Sequence, residues 1–99
     1  MWTGAALIEA ETTPAQADRA KQFFDWVKNT WNEPGDNIYV FDFFALETDG
    51  GKYFVSEYCA GDSHPNETFA ARVAPLFCQR LVDVIGGKGD TASITGTAR

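Results

Sequence analysis

His64 is the only histidine in a chain of 99 residues, and Asp62 stands two positions before it. Histidine is the side chain whose ordinary pKa lies near neutrality, so an imidazole close to a carboxylate is suited to moving a proton in water. In a serine-type triad the histidine takes the hydroxyl proton and later returns it to the leaving group. The carboxylate fixes the ring's tautomer and steadies its positive charge. Asp42 is a second possible carboxylate. It interrupts an apolar run, Ile38 to Phe44, where a carboxylate is costly unless paired or hydrogen-bonded. A structural role for Asp42, accepting bonds from loop N–H groups, competes with a catalytic one. Cys59 adds a third ligand type near His64 and Asp62, but the spacing fits no known metal site. His64 and Asp62 are therefore the candidate proton-handling pair, with Asp42 held beside them, and no cofactor or metal is expected.

The run Asp62-Ser63-His64-Pro65-Asn66, opening a helix that reads Phe69-Ala70-x-x-Val73-Ala74-Pro75-Leu76-Phe77, resembles the last conserved block of the SGNH (GDSL-type) ester hydrolases. The resemblance extends over roughly residues 1–86, as the C-terminal part of such an enzyme. It implies a partial three-layer α/β/α, flavodoxin-like unit and a small ester substrate, and it gives His64 and Asp62 the histidine and aspartate roles of a Ser-His-Asp triad. Two features depart from the family pattern. The usual spacing is Asp-x-x-His, whereas Gly61 stands three before His64. An aspartate two positions away presents its carboxylate differently from one three away, so Asp42 stays an alternative partner. The family's nucleophilic serine and oxyanion-hole donors belong to an N-terminal half with no counterpart among these residues. Gly61-Asp62-Ser63 spells the family's nucleophile tripeptide, but it lies inside the histidine block, and Ser63 reads as a bystander.

The elements that would position these groups read as follows. Trp2 to Ile8 has no polar alternation, as in a strand covered on both faces. Thr13 can cap a helix with Pro14 at its first position. That helix runs to about Thr30 with Ala17, Ala20, Phe24, Val27 and Trp31 on one stripe. Ile38 to Phe44 reads as the central strand, which makes strand–helix–strand and implies a parallel pair. Ligands in open α/β sheets sit beyond the carboxyl ends of the strands, near Asp42 and the histidine loop. Lys52 to Tyr58 reads as an edge strand or an extended loop. Asn66 caps the last helix, Pro75 should kink it, and Gly86-Gly87 ends it.

The chain is long enough for a single domain, taken as residues 1–87, with 88–99 as a flexible polar tail. A net charge of −6 and scattered basic residues argue against nucleic acid, whose phosphates require a basic patch. No apolar run is long enough for a membrane span, and no signal peptide opens the chain. As written it is expected to be cytoplasmic, although a longer parent protein would carry its own leader and a secreted parent stays open. Cys59 and Cys78 read as buried or half-buried thiols rather than a disulfide. Two strands with two helices leave sheet edges unpaired, so the expected partner is a second copy of the chain or a missing N-terminal half. Two functions follow. One is an SGNH-like esterase segment that is inactive alone for want of its serine. The other is a free-standing, non-catalytic α/β interaction module that homo-oligomerises.

Overall fold

In the computed structural model, which describes residues 1–97, the chain opens on β1, Trp2–Thr3, which pairs in parallel with β2, Val40–Phe41. Trp2 faces Val40 and Thr3 faces Phe41. The parallel pair expected from the order strand, helix, strand is present. Between the two strands lies α1, Pro14–Trp26, which runs on into one π-helical turn, Val27–Trp31. The Thr13 hydroxyl accepts the Gln16 backbone N–H at 3.2 Å, and the Gln16 side-chain Oε1 accepts the Thr13 backbone N–H at 3.1 Å. This reciprocal box satisfies two donors that a helix start leaves unpaired. The wide π turn, closed by Asn32 N–H on Val27 O at 2.8 Å, buries Val27 and brings the Trp31 ring 6.4 Å from Trp2.

Both strands are shorter than the apolar runs that contain them. Asp42 is the reason at β2. Its carboxylate accepts the Ala45 N–H at 3.1 Å and starts α2, Phe43–Thr48. Of the expected central strand Ile38–Phe44, only Val40–Phe41 is strand, and Phe43 and Phe44 open the helix with the aspartate as N-cap. The stretch from Lys52 forms no strand among the described residues. It runs past Leu7, whose carbonyl accepts the Phe54 N–H at 2.9 Å, and closes in a 3₁₀ turn, Ser56–Tyr58.

The last helix, α3, spans Glu67–Ile85 and continues through Pro75. Ala71 and Pro75 both lie on its exposed side, where the carbonyl released by the proline can bond water. Beyond Gly87, residues 88–97 are tied to the body rather than loose. The Arg80 guanidinium donates to Gly89 O at 2.9 Å, Asp42 N–H donates to Ile94 O at 2.8 Å, and buried Gly96 lies with its backbone against Leu76. Gly96 has φ of +72° and no room for a Cβ, so only glycine suits it. A polar, glycine-rich composition hides such backbone docking from a sequence reading. The final two positions of the expected tail, 98 and 99, lie outside the described residues.

The core is small and aromatic: Ala6, Phe41, Phe44, Phe54, Phe69 and Val73 are buried together. Successive strand residues point to opposite faces. Trp2 packs on Phe23 and Phe24 of α1, and Phe41 on Phe77 of α3, with ring centroids 5.0 Å apart in the latter pair. The mixed architecture is α/β, helix-rich around a minimal sheet. No helix among the described residues is long and apolar enough to cross a membrane.

Candidate functional site

The histidine loop is a short closed ring between the 3₁₀ turn and α3. Cys59 and Pro65 form an isolated antiparallel bridge, and Ala60 N–H donates to His64 O at 3.0 Å. Gly61, at φ +92°, supplies the left-handed residue that lets the ring turn. Asn66 holds the far side. Its Oδ1 caps α3 through the Phe69 N–H at 2.8 Å, and its Nδ2 donates to Glu57 O at 2.8 Å and to Cys59 O at 3.3 Å.

Within this ring Asp62 and His64 are brought together. Asp62 Oδ1 accepts the His64 backbone N–H at 3.0 Å and lies 3.0 Å from His64 Nδ1. The two-residue spacing therefore suffices, because the carboxylate turns back over the loop in an Asx-type turn. These bonds, the backbone one foremost, hold the Asp62 carboxyl below the usual carboxylate range. With Nδ1 facing the carboxylate, the ring donates from Nδ1 and turns Nε2 outward. The His64 side chain is 82% exposed, and Nε2 makes no hydrogen bond among the described residues. Pro65, the next residue, lines an apolar groove of about 320 Å³ together with Thr3 and Phe41, the last residues of β1 and β2. The loop thus borders the carboxyl ends of the strands.

Asp42 is engaged elsewhere. Besides capping α2, its other oxygen lies 3.0 Å from Lys28 Nζ. Both carboxylate oxygens have structural partners, which accounts for a buried acid at the end of β2. Cys59 does not join Asp62 and His64 in a cluster. Among the described residues no three His, Cys, Asp or Glu side chains stand together in a way that could hold a metal ion. Both thiols are free. Cys59 is half-buried and bonded to Val55 O at 3.3 Å, while Cys78 is exposed, contrary to the expectation of two covered thiols. Burial first, then the Glu47, Asp62 and Glu11 carboxylates, push the Cys59 thiol up, which makes it a poor nucleophile.

Two participants were not legible from the chain. Ser63, the apparent bystander, donates to Glu11 Oε1 at 2.7 Å and accepts the Ile8 N–H at 3.1 Å. It ties the histidine loop to the segment after β1. Glu47, on which the sequence offers no signal, is buried inside α2 and accepts the Ala6 N–H at 2.7 Å. Burial pushes its carboxyl up to about 7, against the opposing effect of that bond. Their partners lie 52 and 41 residues away, so no local pattern marks either one.

No family model, no curated protein and no solved structure matches the chain.

Proposed function

We propose that this chain is the histidine-bearing C-terminal segment of an SGNH-like ester hydrolase, a piece of a three-layer α/β/α unit that supplies proton transfer and depends on a serine nucleophile from elsewhere. The observation that carries the reading is the pairing of Asp62 Oδ1 with His64 Nδ1 at 3.0 Å, with Nε2 left outward. In such a triad Nε2 is the atom that takes the serine proton and returns it to the leaving alcohol, while the carboxylate steadies the imidazolium. The apolar groove beside Pro65 supports a substrate with an alkyl or aryl portion, since its walls are Phe41, Phe43, Val73 and Phe77 and it falls at the small end of ligand-pocket sizes. Asp42 does not enter this reading as the triad acid, because Lys28 and Ala45 already engage it.

The test is reconstitution. Hydrolysis of p-nitrophenyl acetate is measured for the 99-residue chain and for His64→Ala, each alone and mixed with the segment encoded directly upstream. The expected result is activity only in the mixture containing wild-type chain, with a Gly-Asp-Ser block in the upstream segment. Equal rates for wild type and His64→Ala in every mixture would overturn the reading. That result would favour the second one, a non-catalytic interaction module, which draws support from the apolar side chains that α3 turns outward, Val82 at 60% and Ile85 at 85% exposure.

A further inference from the structure

The tip of the histidine loop is fastened to the body through one side chain. From Gly61 to Pro65 only Ser63 is half-buried, and the other four residues are exposed. The bonds of Asp62 and His64 stay within the loop: the carboxylate meets the His64 amide and ring, and His64 O meets the Ala60 N–H. Among the described residues, the hydrogen bonds from positions 61–64 to the chain beyond the loop are those of Ser63 alone. Its hydroxyl is used in both senses, donating to Glu11 Oε1 at 2.7 Å and accepting the Ile8 N–H at 3.1 Å. Donation to a carboxylate is the stronger kind of bond, and it makes Oγ a better acceptor for the Ile8 amide. The segment that receives Ser63 is itself fixed. Glu47 Oε1 holds the Ala6 N–H at 2.7 Å, and Leu7 O accepts the Phe54 N–H at 2.9 Å. The 3₁₀ turn Glu9–Glu11 then closes with the Glu11 N–H on Ile8 O at 3.0 Å, which brings both partners of Ser63 to one place.

We propose that Ser63 and Glu11 are positioning residues for His64. By drawing position 63 onto the turn Ile8–Glu11, they turn Asp62 and His64 toward each other and so keep the imidazole proton on Nδ1. The side chain between the pair goes inward, while the two that flank it meet outside, with Asp62 Oδ1 3.0 Å from Nδ1. An Asx turn in an exposed loop is a weak local device when nothing else restrains it. Each backbone residue left free to move costs entropy when the ring bond forms, and the Ser63 tether removes that freedom beforehand. The hydroxyl proton is directed to Glu11, so Ser63 acts here as a fastener and not as an attacking group. Glu11 stands 53 positions before His64 in the chain and reaches the ring only through Ser63. The inference deepens the hydrolase reading, and its catalytic meaning rests on that reading, because a general base needs Nε2 bare.

The test is the ¹⁵N spectrum of the neutral imidazole in the 99-residue chain, which reads the ratio of the Nδ1–H and Nε2–H forms. It is recorded for wild type, Ser63→Ala, Ser63→Thr, Glu11→Ala, Glu11→Gln and Asp62→Ala, with urea unfolding of each alongside. Ser63→Ala should move the ratio toward Nε2–H by about five-fold, the order set by the loss of one net hydrogen bond. Ser63→Thr keeps a hydroxyl and should restore the wild-type ratio. Glu11→Ala should move the ratio in the same direction as Ser63→Ala, and Glu11→Gln, which keeps an acceptor, should stay near wild type. Glu11 is exposed, so its variants keep the fold even if Ser63→Ala does not. A merely structural tether would lower the urea midpoint and leave the ratio alone. A ring that answers to Asp62→Ala but ignores Ser63→Ala and Glu11→Ala would overturn this proposal and leave the hydrolase reading standing. A ring indifferent to Asp62→Ala would overturn both.

Discussion

At the scale of single residues, exposure and carboxylate surroundings separate the groups that can react from those that cannot. Cys78 is exposed, whereas Cys59 is half-buried, bonded to Val55 O and pushed up by burial and three nearby carboxylates. A thiol reagent at neutral pH should therefore label Cys78 first and leave Cys59 slow until the chain is unfolded, which mass spectrometry of the digested protein would read. Glu47 gives a pH dependence with a definite sign. Its carboxyl titrates at the ordinary 4.5 when unfolded and at about 7 when folded, so the folded chain holds the extra proton between those values. Stability from this group is intact below about pH 4.5 and is lost progressively as pH rises through about 7. Glu47→Gln keeps an acceptor for the Ala6 N–H and cannot ionise. Urea denaturation should show the variant more stable than wild type by about 1–3 kcal/mol at pH 8 and equal to it near pH 4.5. A variant that loses stability at pH 8 would contradict this account of Glu47.

At the scale of elements, side chains that terminate or tether structure matter more than propensity. Asp42 starts α2 and pairs with Lys28. Asp42→Ala removes a cap and strands a partly buried lysine, and should cost about 2–4 kcal/mol by denaturant unfolding. Arg80 joins α3 to the open side of β2 and to the segment after Gly87. Arg80→Met leaves two buried carbonyls without donors, which should cost about 2–4 kcal/mol and expose the Asp42 amide, bonded to Ile94, to hydrogen exchange. The same elements show where the chain can be read directly. The Thr13-Pro14 start of α1, the Asn66 cap of α3 and its Gly86-Gly87 stop are local chemistry and stand where the sequence puts them. The parallel pairing follows from element order. The split of Ile38–Phe44 into β2 and α2 was hidden because Phe43 and Phe44 suit a strand as well as a helix, and only tertiary context makes Asp42 a cap. The docking of residues 88–97 was hidden because backbone contacts leave no apolar pattern. At the site, the pairing of Asp62 with His64 was visible as proximity, whereas the Ser63–Glu11 tether spans the chain and was not.

At the scale of the whole molecule, the chain forms a slab of 40 × 29 × 17 Å. A body this thin covers a two-stranded sheet with little apolar depth, and among the described residues nine buried hydrophobic side chains share the interior with Asp42, Glu47, Thr48, Arg80 and Asp83. Small domains of this kind gain from association, which is consistent with an outward apolar stripe on α3 and with exposed Phe23 and Trp26 on α1. The histidine loop rides on the rim of this slab, held by Asn66, by the Cys59–Pro65 bridge and by Ser63, so that Asp62 can set the ring. Because the chain has a single histidine, the ¹⁵N NMR spectrum of its imidazole reports on that arrangement alone. With the ring neutral, Nδ1 should carry the proton and Nε2 should be bare, and Asp62→Ala should shift the ring toward the Nε2–H form that a free side chain favours. A ring already in the Nε2–H form in wild type, or a spectrum unchanged by Asp62→Ala, would contradict the claim that this imidazole is oriented for proton transfer.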